Sequence, residues 1–448
     1  MILANAFTQD IELENHYLPL KHKHPFWIVS NNNDKYVNGS ILSLKTFGIK
    51  DNFLYQINFA LPWSSNFSKV LFYNSELTYK KNNMLYGISR KNSNHNNNPL
   101  STGSLLESNN SLGIPRIFVR NLNFNQSKIL NKKFDYKISF SHGWLDKAQY
   151  LQSPYLHEKT LYIKKNITGF DFILGLRHFA IWGGKTIYHG KQSSSLNDFI
   201  KIFLARPGSI NSIKQEQENA LGNHLGVWDL SFERKIKDKL FTFYYEHPFE
   251  DESGARWLLN KFDGKYGFNI TSLNSTLISD FTYEFIYTMN QSGSQGASDS
   301  TYGWDNYFNH YIYQSGWTYK DRMIGNPLFT VGKNPGRYSD GIYIINNRIK
   351  AHHFGLAGKI RHNANYKILF TYSKNYGIYP DKIFYHSNGE NYKLDDGLEQ
   401  LSTLFEIKLK NLWENISITA AYANDRGELL PKTDSFMMII NYKLYNSK

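Results

Sequence analysis

No cysteine occurs in the 448 residues, which excludes a disulfide framework, a thiolate metal centre and a cysteine nucleophile. No stretch approaches the roughly 18 consecutive apolar residues that a spanning helix requires. A mean hydropathy of -0.50 with 41% hydrophobic residues is likewise foreign to a helical membrane protein. Nor is there a Pro/Gly/Ser-rich linker or a change of pattern between the two halves, so a string of separate soluble domains is not indicated. The chain also lacks a G-x-S-x-G elbow, an H-E-x-x-H pair, a phosphate-binding loop and a dinucleotide fingerprint, and with them the commonest signatures of hydrolytic or nucleotide chemistry.

What is present is alternation. Phe134, Tyr136, Ile138 and Phe140 interleave with Asp135, Lys137, Ser139 and Ser141, so an extended backbone would place an apolar, aromatic face opposite a polar one. The same grammar recurs at Phe281, Tyr283, Phe285 and Tyr287, and again at Phe436, Met438, Ile440, Tyr442 and Leu444. Seventeen such segments are expected as strands, near 39–48, 52–61, 67–80, 83–92, 115–123, 132–142, 157–165, 168–180, 225–236, 238–247, 264–272, 276–290, 347–358, 361–376, 400–410, 414–424 and 434–445. Their separations alternate short and long, which is the pattern of an all-β transmembrane antiparallel barrel with turns at one end and loops at the other. An even strand count then calls for one more strand before residue 39, and Pro25 to Ser30 is the expected segment, with proline tolerated at a strand's first position. The expected architecture is about 18 strands spanning 25–448, preceded by an N-terminal segment 1–24 in which Ile2 to Ala6 resembles the tail of a signal peptide and the rest a periplasmic lead-in.

An aromatic content of 16%, with 32 Tyr and 31 Phe, suits both strand propensity and interfacial girdles. The formal charge of +13 would raise nucleic-acid binding in a soluble protein. Here, however, the basic residues collect in the short connections, at Lys80-Lys81, Lys132-Lys133, Lys164-Lys165 and Arg234 to Lys239, where they form either a basic rim at lipid headgroups or simply solvated turns. Nucleic acid is therefore not an expected partner; outer-membrane lipid is.

The long connections, at 93–114, 143–156, 181–224, 248–263, 291–346 and 377–399, all fall on one side and are expected to be extracellular. In them the chain resembles the Wzi-type capsule-assembly proteins of the Gram-negative outer membrane. The resemblance rests on Leu100-Ser-Thr-Gly-Ser-Leu with Ile114-Pro-Arg, His142-Gly-Trp-Leu with Leu156-His-Glu-Lys, Gly175-Leu-Arg-His with Trp182-Gly-Gly, Asn219-Ala-Leu-Gly-Asn-His-Leu-Gly, Phe249-Glu-Asp-Glu-Ser-Gly, Tyr283-Glu with Gln291-Ser-Gly, and Asn309-His-Tyr-Ile-Tyr-Gln-Ser-Gly-Trp-Thr-Tyr-Lys-Asp-Arg-Met-Ile-Gly-Asn-Pro-Leu. Their common order from about residue 100 to 330 is what makes the set specific. The resemblance implies a cell-surface, lectin-like barrel that attaches or organises capsular or exopolysaccharide without catalysis and without a cofactor. Two departures from the family pattern are a short N-terminal part, for which a reduced or absent periplasmic helical bundle is the expectation, and an end at Tyr445-Asn-Ser-Lys instead of a terminal aromatic.

The residues themselves are compatible with that function. Sugars offer apolar C–H faces and many hydroxyls, which match flat aromatic platforms beside planar hydrogen-bonding groups. Trp304, Tyr307, His310, Tyr311, Tyr313, Trp317, Tyr319, Arg322 and Asn326 supply both kinds in the longest loop and are the expected carbohydrate-binding set. The same residues fit a second arrangement, in which the aromatics fold inward as a plug and Gly303, Gly316 and Gly325 make its turns. No metal site is expected. Glu250, Asp251 and Glu252 lack regular calcium-loop spacing, His22 with His24 is an isolated pair, and His352 with His353 would point to opposite faces. The alternative function is a porin or substrate-selective channel, for which inward Glu284, Lys367, Glu406 and Lys408 argue and bulky Leu369 and Leu404 argue against. A third, a hydrolase using Ser141 and His142, requires a bend in the strand.

Overall fold

The computed structural model describes residues 8–19, 23–33, 39–63, 70–92, 98–129, 132–146, 153–186, 189–250, 260, 262–274, 277–291, 305–333, 342–378, 383–385, 391–393 and 396–445. Eighteen antiparallel strands close into a barrel. The first half comprises β1 (Thr8–Leu18), β2 (Gly39–Lys50), β3 (Phe53–Trp63), β4 (Ser75–Lys81), β5 (Met84–Arg90), β6 (Pro115–Asn121), β7 (Lys132–Trp144), β8 (Tyr155–Ile167) and β9 (Phe170–Trp182). The second comprises β10 (Asn223–Ile236), β11 (Lys239–Phe249), β12 (Gly264–Ser272), β13 (Asp280–Tyr287), β14 (Ile349–Arg361), β15 (Ala364–Asn375), β16 (Leu398–Trp413), β17 (Ile416–Gly427) and β18 (Thr433–Tyr445). Each strand pairs with its neighbours in sequence, and β1 pairs with β18, Leu13 opposite Tyr442, to remove the sheet edges.

All seventeen expected segments are strands. The eighteenth is not where the sequence placed it. Pro25 to Ser30 contains a one-turn helix, α1 (Phe26–Val29), and the first strand is Thr8–Leu18, so the barrel begins inside the segment expected to be a lead-in. The apolar run Phe26-Trp-Ile-Val looks like half a strand, but its side chains go inward: Trp27 and Ile28 are buried with Leu369, Leu404, Ala421 and Ala423 on the inner wall. Trp27 Nε1 donates to Thr371 Oγ1 at 3.1 Å, and the Phe26 amide donates to Asp425 Oδ2 at 2.8 Å.

Alternation sets the two faces of the wall. Ile138, Leu161, Phe232, Phe243, Phe354 and Phe436 are exposed on the outside. Rings meet across strands there, as in Phe243–Phe268 at 4.6 Å, Tyr422–Phe436 at 4.8 Å and Tyr283–Phe354 at 4.9 Å. Inward positions carry Glu158, Arg177, Glu246, Lys265, Glu284 and His353, all buried. Charge on the inside and hydrocarbon on the outside reverse the order of a soluble core, as expected where the outer solvent is lipid. No helix among the described residues is long and apolar enough to cross a membrane; the crossing elements are strands.

The lumen is filled from the long-loop end. Three segments enter it: α1, residues 98–114 after β5, and residues 305–333 after β13. Their largest shared cluster joins Leu105, Leu106, Tyr307, Phe308, Tyr313, Trp317 and Phe329 to the inner-wall residues Phe179, Val227, Ile286 and Ala351. Close approach leaves no room for a side chain at Gly355 of the wall or Gly325 of the plug. A Cβ at Gly355 would lie 2.6 Å from Leu100 Cβ, and one at Gly325 would overlap the Leu105 carbonyl oxygen.

Candidate functional site

The plug is held by charged groups that the wall points inward. Glu284 of β13 accepts hydrogen bonds from Ser101 Oγ at 2.5 Å, the Thr102 amide at 2.8 Å and Thr102 Oγ1 at 2.6 Å, and also from the Tyr244 hydroxyl. Glu246 of β11 accepts from Ser104 Oγ at 3.0 Å and the Leu105 amide at 2.8 Å. Lys265 of β12 lies between them, 3.0 Å from Glu246 and 3.4 Å from Glu284, and donates to the Gly103 carbonyl at 2.9 Å. Arg177 of β9 grips Asp229 with two bonds of 2.6 and 2.9 Å and reaches Ser104 Oγ at 2.6 Å. Arg116 bridges Glu107 of the plug and Glu158 of β8, the latter at 2.9 Å. Leu100-Ser-Thr-Gly-Ser-Leu is therefore a backbone segment whose amides, carbonyls and hydroxyls are satisfied by alternating wall charges, which is how a loop without regular hydrogen bonding survives burial.

The aromatic loop packs on that segment. Trp317 has no exposed surface, and its Nε1 donates to the Leu106 carbonyl at 2.7 Å. Asn326 spends its amide on Thr102 Oγ1 at 2.9 Å and the Gly103 carbonyl at 2.8 Å. Tyr307 donates to Asp263 at 3.0 Å and Tyr313 to the Gly183 carbonyl at 3.3 Å, while Tyr319 is buried beside them. His310 Nδ1 accepts from the amides of Ile312 and Tyr313 at 3.2 and 3.4 Å, and burial pushes its pKa down to about 3, so the ring is neutral. Gly316 adopts φ +62° in the turn before Trp317. Of the expected carbohydrate set, Tyr307, Tyr313, Trp317, Tyr319 and Asn326 are thus interior plug residues: a ring with no open face has nothing on which a sugar can stack. Tyr311 and Arg322 are partly exposed, as is His310, and Trp304 lies outside the described residues. Tyr311 has His189 beside it, with ring centroids 6.1 Å apart.

Beneath the plug, towards the short turns, a cavity of about 480 Å³ is lined by Arg120, Lys137, Tyr162, Asp229, Glu233 and Asn269 among others. It lies on the lumenal side of β6 to β12 and does not reach the aromatic loop.

The remaining expectations resolve individually. Ser141 faces inward and donates to Glu158 at 2.7 Å, whereas His142 is on the outer face, so the pair forms no nucleophile and base. His353 is inside, 2.7 Å from Thr371 Oγ1, and His352 outside, 2.9 Å from the Tyr283 hydroxyl. Glu250 accepts the Phe308 amide at 2.6 Å, while Asp251 and Glu252 lie outside the described residues, as does His22. No group of three or more His, Asp or Glu placed to hold a metal exists among the described residues. Inward charge at Glu284 was legible in the sequence; the grip of Glu284, Glu246, Lys265 and Arg177 on residues 100–105 was not. Arg177, inside the Gly175-Leu-Arg-His motif, is central to the network, and the available signal was a charged residue at an inward strand position within a family motif.

A family model described as capsule assembly protein Wzi matches residues 94–334, a span that holds two of the three plug segments, 98–114 and 305–333, and the clamping residues Arg116, Glu158, Arg177, Glu246, Lys265 and Glu284. The chain belongs to the Wzi capsule-assembly family. Among solved structures, Escherichia coli Wzi, an outer-membrane carbohydrate-binding β-barrel involved in group 1 capsule assembly, is similar with a TM-score of 0.60 and 12% identity, over 98% of this chain and 85% of that one. Pseudomonas aeruginosa OccK5 gives a TM-score of 0.45 at 9% identity, covering 98% of each chain. Acinetobacter baumannii OccAB2 gives 0.44 at 11% identity, also covering 98% of each. No curated protein matches the sequence. As a Wzi-family barrel, this protein resides in the outer membrane.

Proposed function

We propose that this Wzi-family protein retains secreted capsular or other extracellular polysaccharide at the cell surface by binding it, without catalysis. The observation that carries the reading is that the family match, residues 94–334, contains plug segments 98–114 and 305–333 together with the charged residues that clamp them. A glycan approaching from outside meets the top of that plug, where Tyr311 and Arg322 keep exposed surface. A tyrosine face and a guanidinium are suited to sugar C–H groups and to hydroxyls or uronate carboxylates. The buried aromatics give that surface a rigid base, since a site is only as well positioned as the groups packed behind it.

The test compares two kinds of variant in the native organism. Replacing both Tyr311 and Arg322 by Ala should leave barrel assembly unchanged and release polysaccharide into the medium, with an affinity loss of about 2 kcal/mol or more, roughly 30-fold. A double variant that is assembled and still retains wild-type amounts of cell-bound polysaccharide would refute the reading. The channel alternative requires an aqueous path, and among the described residues three plug segments cross the lumen. A high conductance of the unmodified protein in planar bilayers would favour it.

A further inference from the structure

The connection between β9 and β10 carries a helix that does not join the plug. Ser195 and Asp198 form a capping box, with Ser195 Oγ accepting the Asp198 amide at 3.2 Å and Asp198 Oδ2 accepting the Ser195 amide at 2.9 Å, and start α2 (Leu196–Phe203). Its partners fix its position. Phe199 lies 5.8 Å from His142, 5.6 Å from His157 and 5.7 Å from Trp182; Phe203 lies 6.1 Å from Phe140 and 5.6 Å from His157. Phe140 and His142 share the parity of Ile138 on β7, and His157 shares that of Leu161 on β8; both reference residues are exposed on the outer wall. The helix therefore lies against the outside of the barrel across β7, β8 and β9, just above the apolar belt.

The wall under it is unusually polar for a lipid-facing surface. His142, His157, Lys159, His178 and His224 all point outward there. His224 Nε2 donates to the Leu221 carbonyl at 2.7 Å, so its Nδ1 accepts the proton of His178 Nε2 at 2.9 Å. Lys159 Nζ donates to the Phe203 carbonyl at the helix C-terminus, where the macrodipole favours a cation, and sits 4.7 Å from the Phe203 ring. Helix α2 shields this patch, with Ile202 buried against Ala180, Trp182 and Leu221.

The side of α2 turned away from the wall is apolar as well. Leu196 is 78% exposed, Ile200 49% and Leu204, the C-cap, 49%. Spaced by four residues, they form one stripe; Asn197 and Lys201, also four apart, form a polar edge beside it. A helix with so much apolar surface belongs in a core or in lipid, and α2 packs on Phe140 and Lys159, the paired outward positions that adjoin the exposed pair Ile138 and Leu161 of the belt.

We infer that α2 is an interfacial lipid-binding element whose Leu196–Ile200–Leu204 stripe inserts among the acyl chains of the outer leaflet, while Lys201 stays at the headgroups. Lipid on one side and the barrel on the other hold it over the histidine and lysine patch. Because the chain has no cysteine, single cysteines report each position without further engineering. Ile200→Cys and Leu196→Cys, labelled with an environment-sensitive fluorophore in full-length protein reconstituted into phospholipid vesicles, are compared with Leu161→Cys in the belt and Asp321→Cys on the plug. Quenching by nitroxide-bearing acyl chains at Ile200 and Leu196 should match that at Leu161, and quenching by iodide should fall severalfold below that at Asp321. Iodide quenching equal to Asp321, with no response to acyl-chain nitroxide at either helix position, would overturn the inference.

Discussion

Asp263 shows how much one side chain can carry in this plug. It is buried, and its oxygens accept the amides of Asn290 and Gln291 at 2.9 and 2.7 Å and the Tyr307 hydroxyl at 3.0 Å. Those bonds favour the carboxylate, but burial outweighs them and pushes the pKa up to about 6. The unfolded chain ionises near the ordinary value of 3.8, so between about pH 4 and 6 the folded state holds the proton more tightly and this residue's contribution to stability falls as pH rises. The shift corresponds to roughly 3 kcal/mol. His310, held neutral at a pKa of about 3, acts in the opposite sense, because the unfolded ring takes up a proton as pH falls below its ordinary 6.5. Asp263 is isolated by difference: the wild type minus Asp263→Asn, measured as the temperature of the heat-modifiable gel shift, should decline between pH 4 and 6. A difference flat across that range would contradict a proton held on Asp263.

At the level of elements, strands in the wall were legible because a two-residue period survives any choice of inward partner. Ile138 is outside and exposed, and Ser139 lines the lumenal cavity. Arg at Ile138 should therefore impair insertion by about 2–4 kcal/mol near mid-bilayer, whereas Arg at Ser139 should insert normally; heat-modifiable migration separates the two, and equal insertion would refute the assigned faces. The first strand was hidden for the same reason that β7 was visible. Its inward Glu12, Glu14 and His16 alternate with Asn15 as well as Leu13 and Tyr17, so the apolar signal is diluted, and only pairing explains the charges: Lys45 of β2 donates to Glu14 at 2.6 Å. Pro25 to Ser30 misled in the reverse direction, since a short apolar run has no period to distinguish a strand from a buried helical turn. In the long loop, the choice between ligand platform and plug core could not be read from residue types, because Trp317 or Tyr313 suits both; the contacts of Leu105 and Leu106, about two hundred positions away, decide it.

Over the whole molecule two kinds of bonding are separable. The wall is a closed ladder from β1 to β18, while the plug is attached to it through a few charged side chains, Glu284, Glu246, Lys265, Arg177 and Arg116. Removing one member of a buried charge network costs about 3–5 kcal/mol, chiefly by stranding its partners. For Glu284 the stranded groups are Lys265, Ser101 and Thr102. That cost falls on the plug, because the wall's backbone ladder is untouched by a side-chain truncation. Glu284→Ala should consequently still insert and migrate as a folded barrel, yet show higher single-channel conductance than the wild type as residues 98–114 lose their seat. If the plug also supports the surface that holds polysaccharide, the same variant should shed polysaccharide in parallel with the rise in conductance, unlike the Tyr311 and Arg322 double variant, which should shed it with conductance unchanged. Unaltered conductance in a correctly inserted Glu284→Ala barrel would mean that the remaining clamps suffice and that the network is redundant.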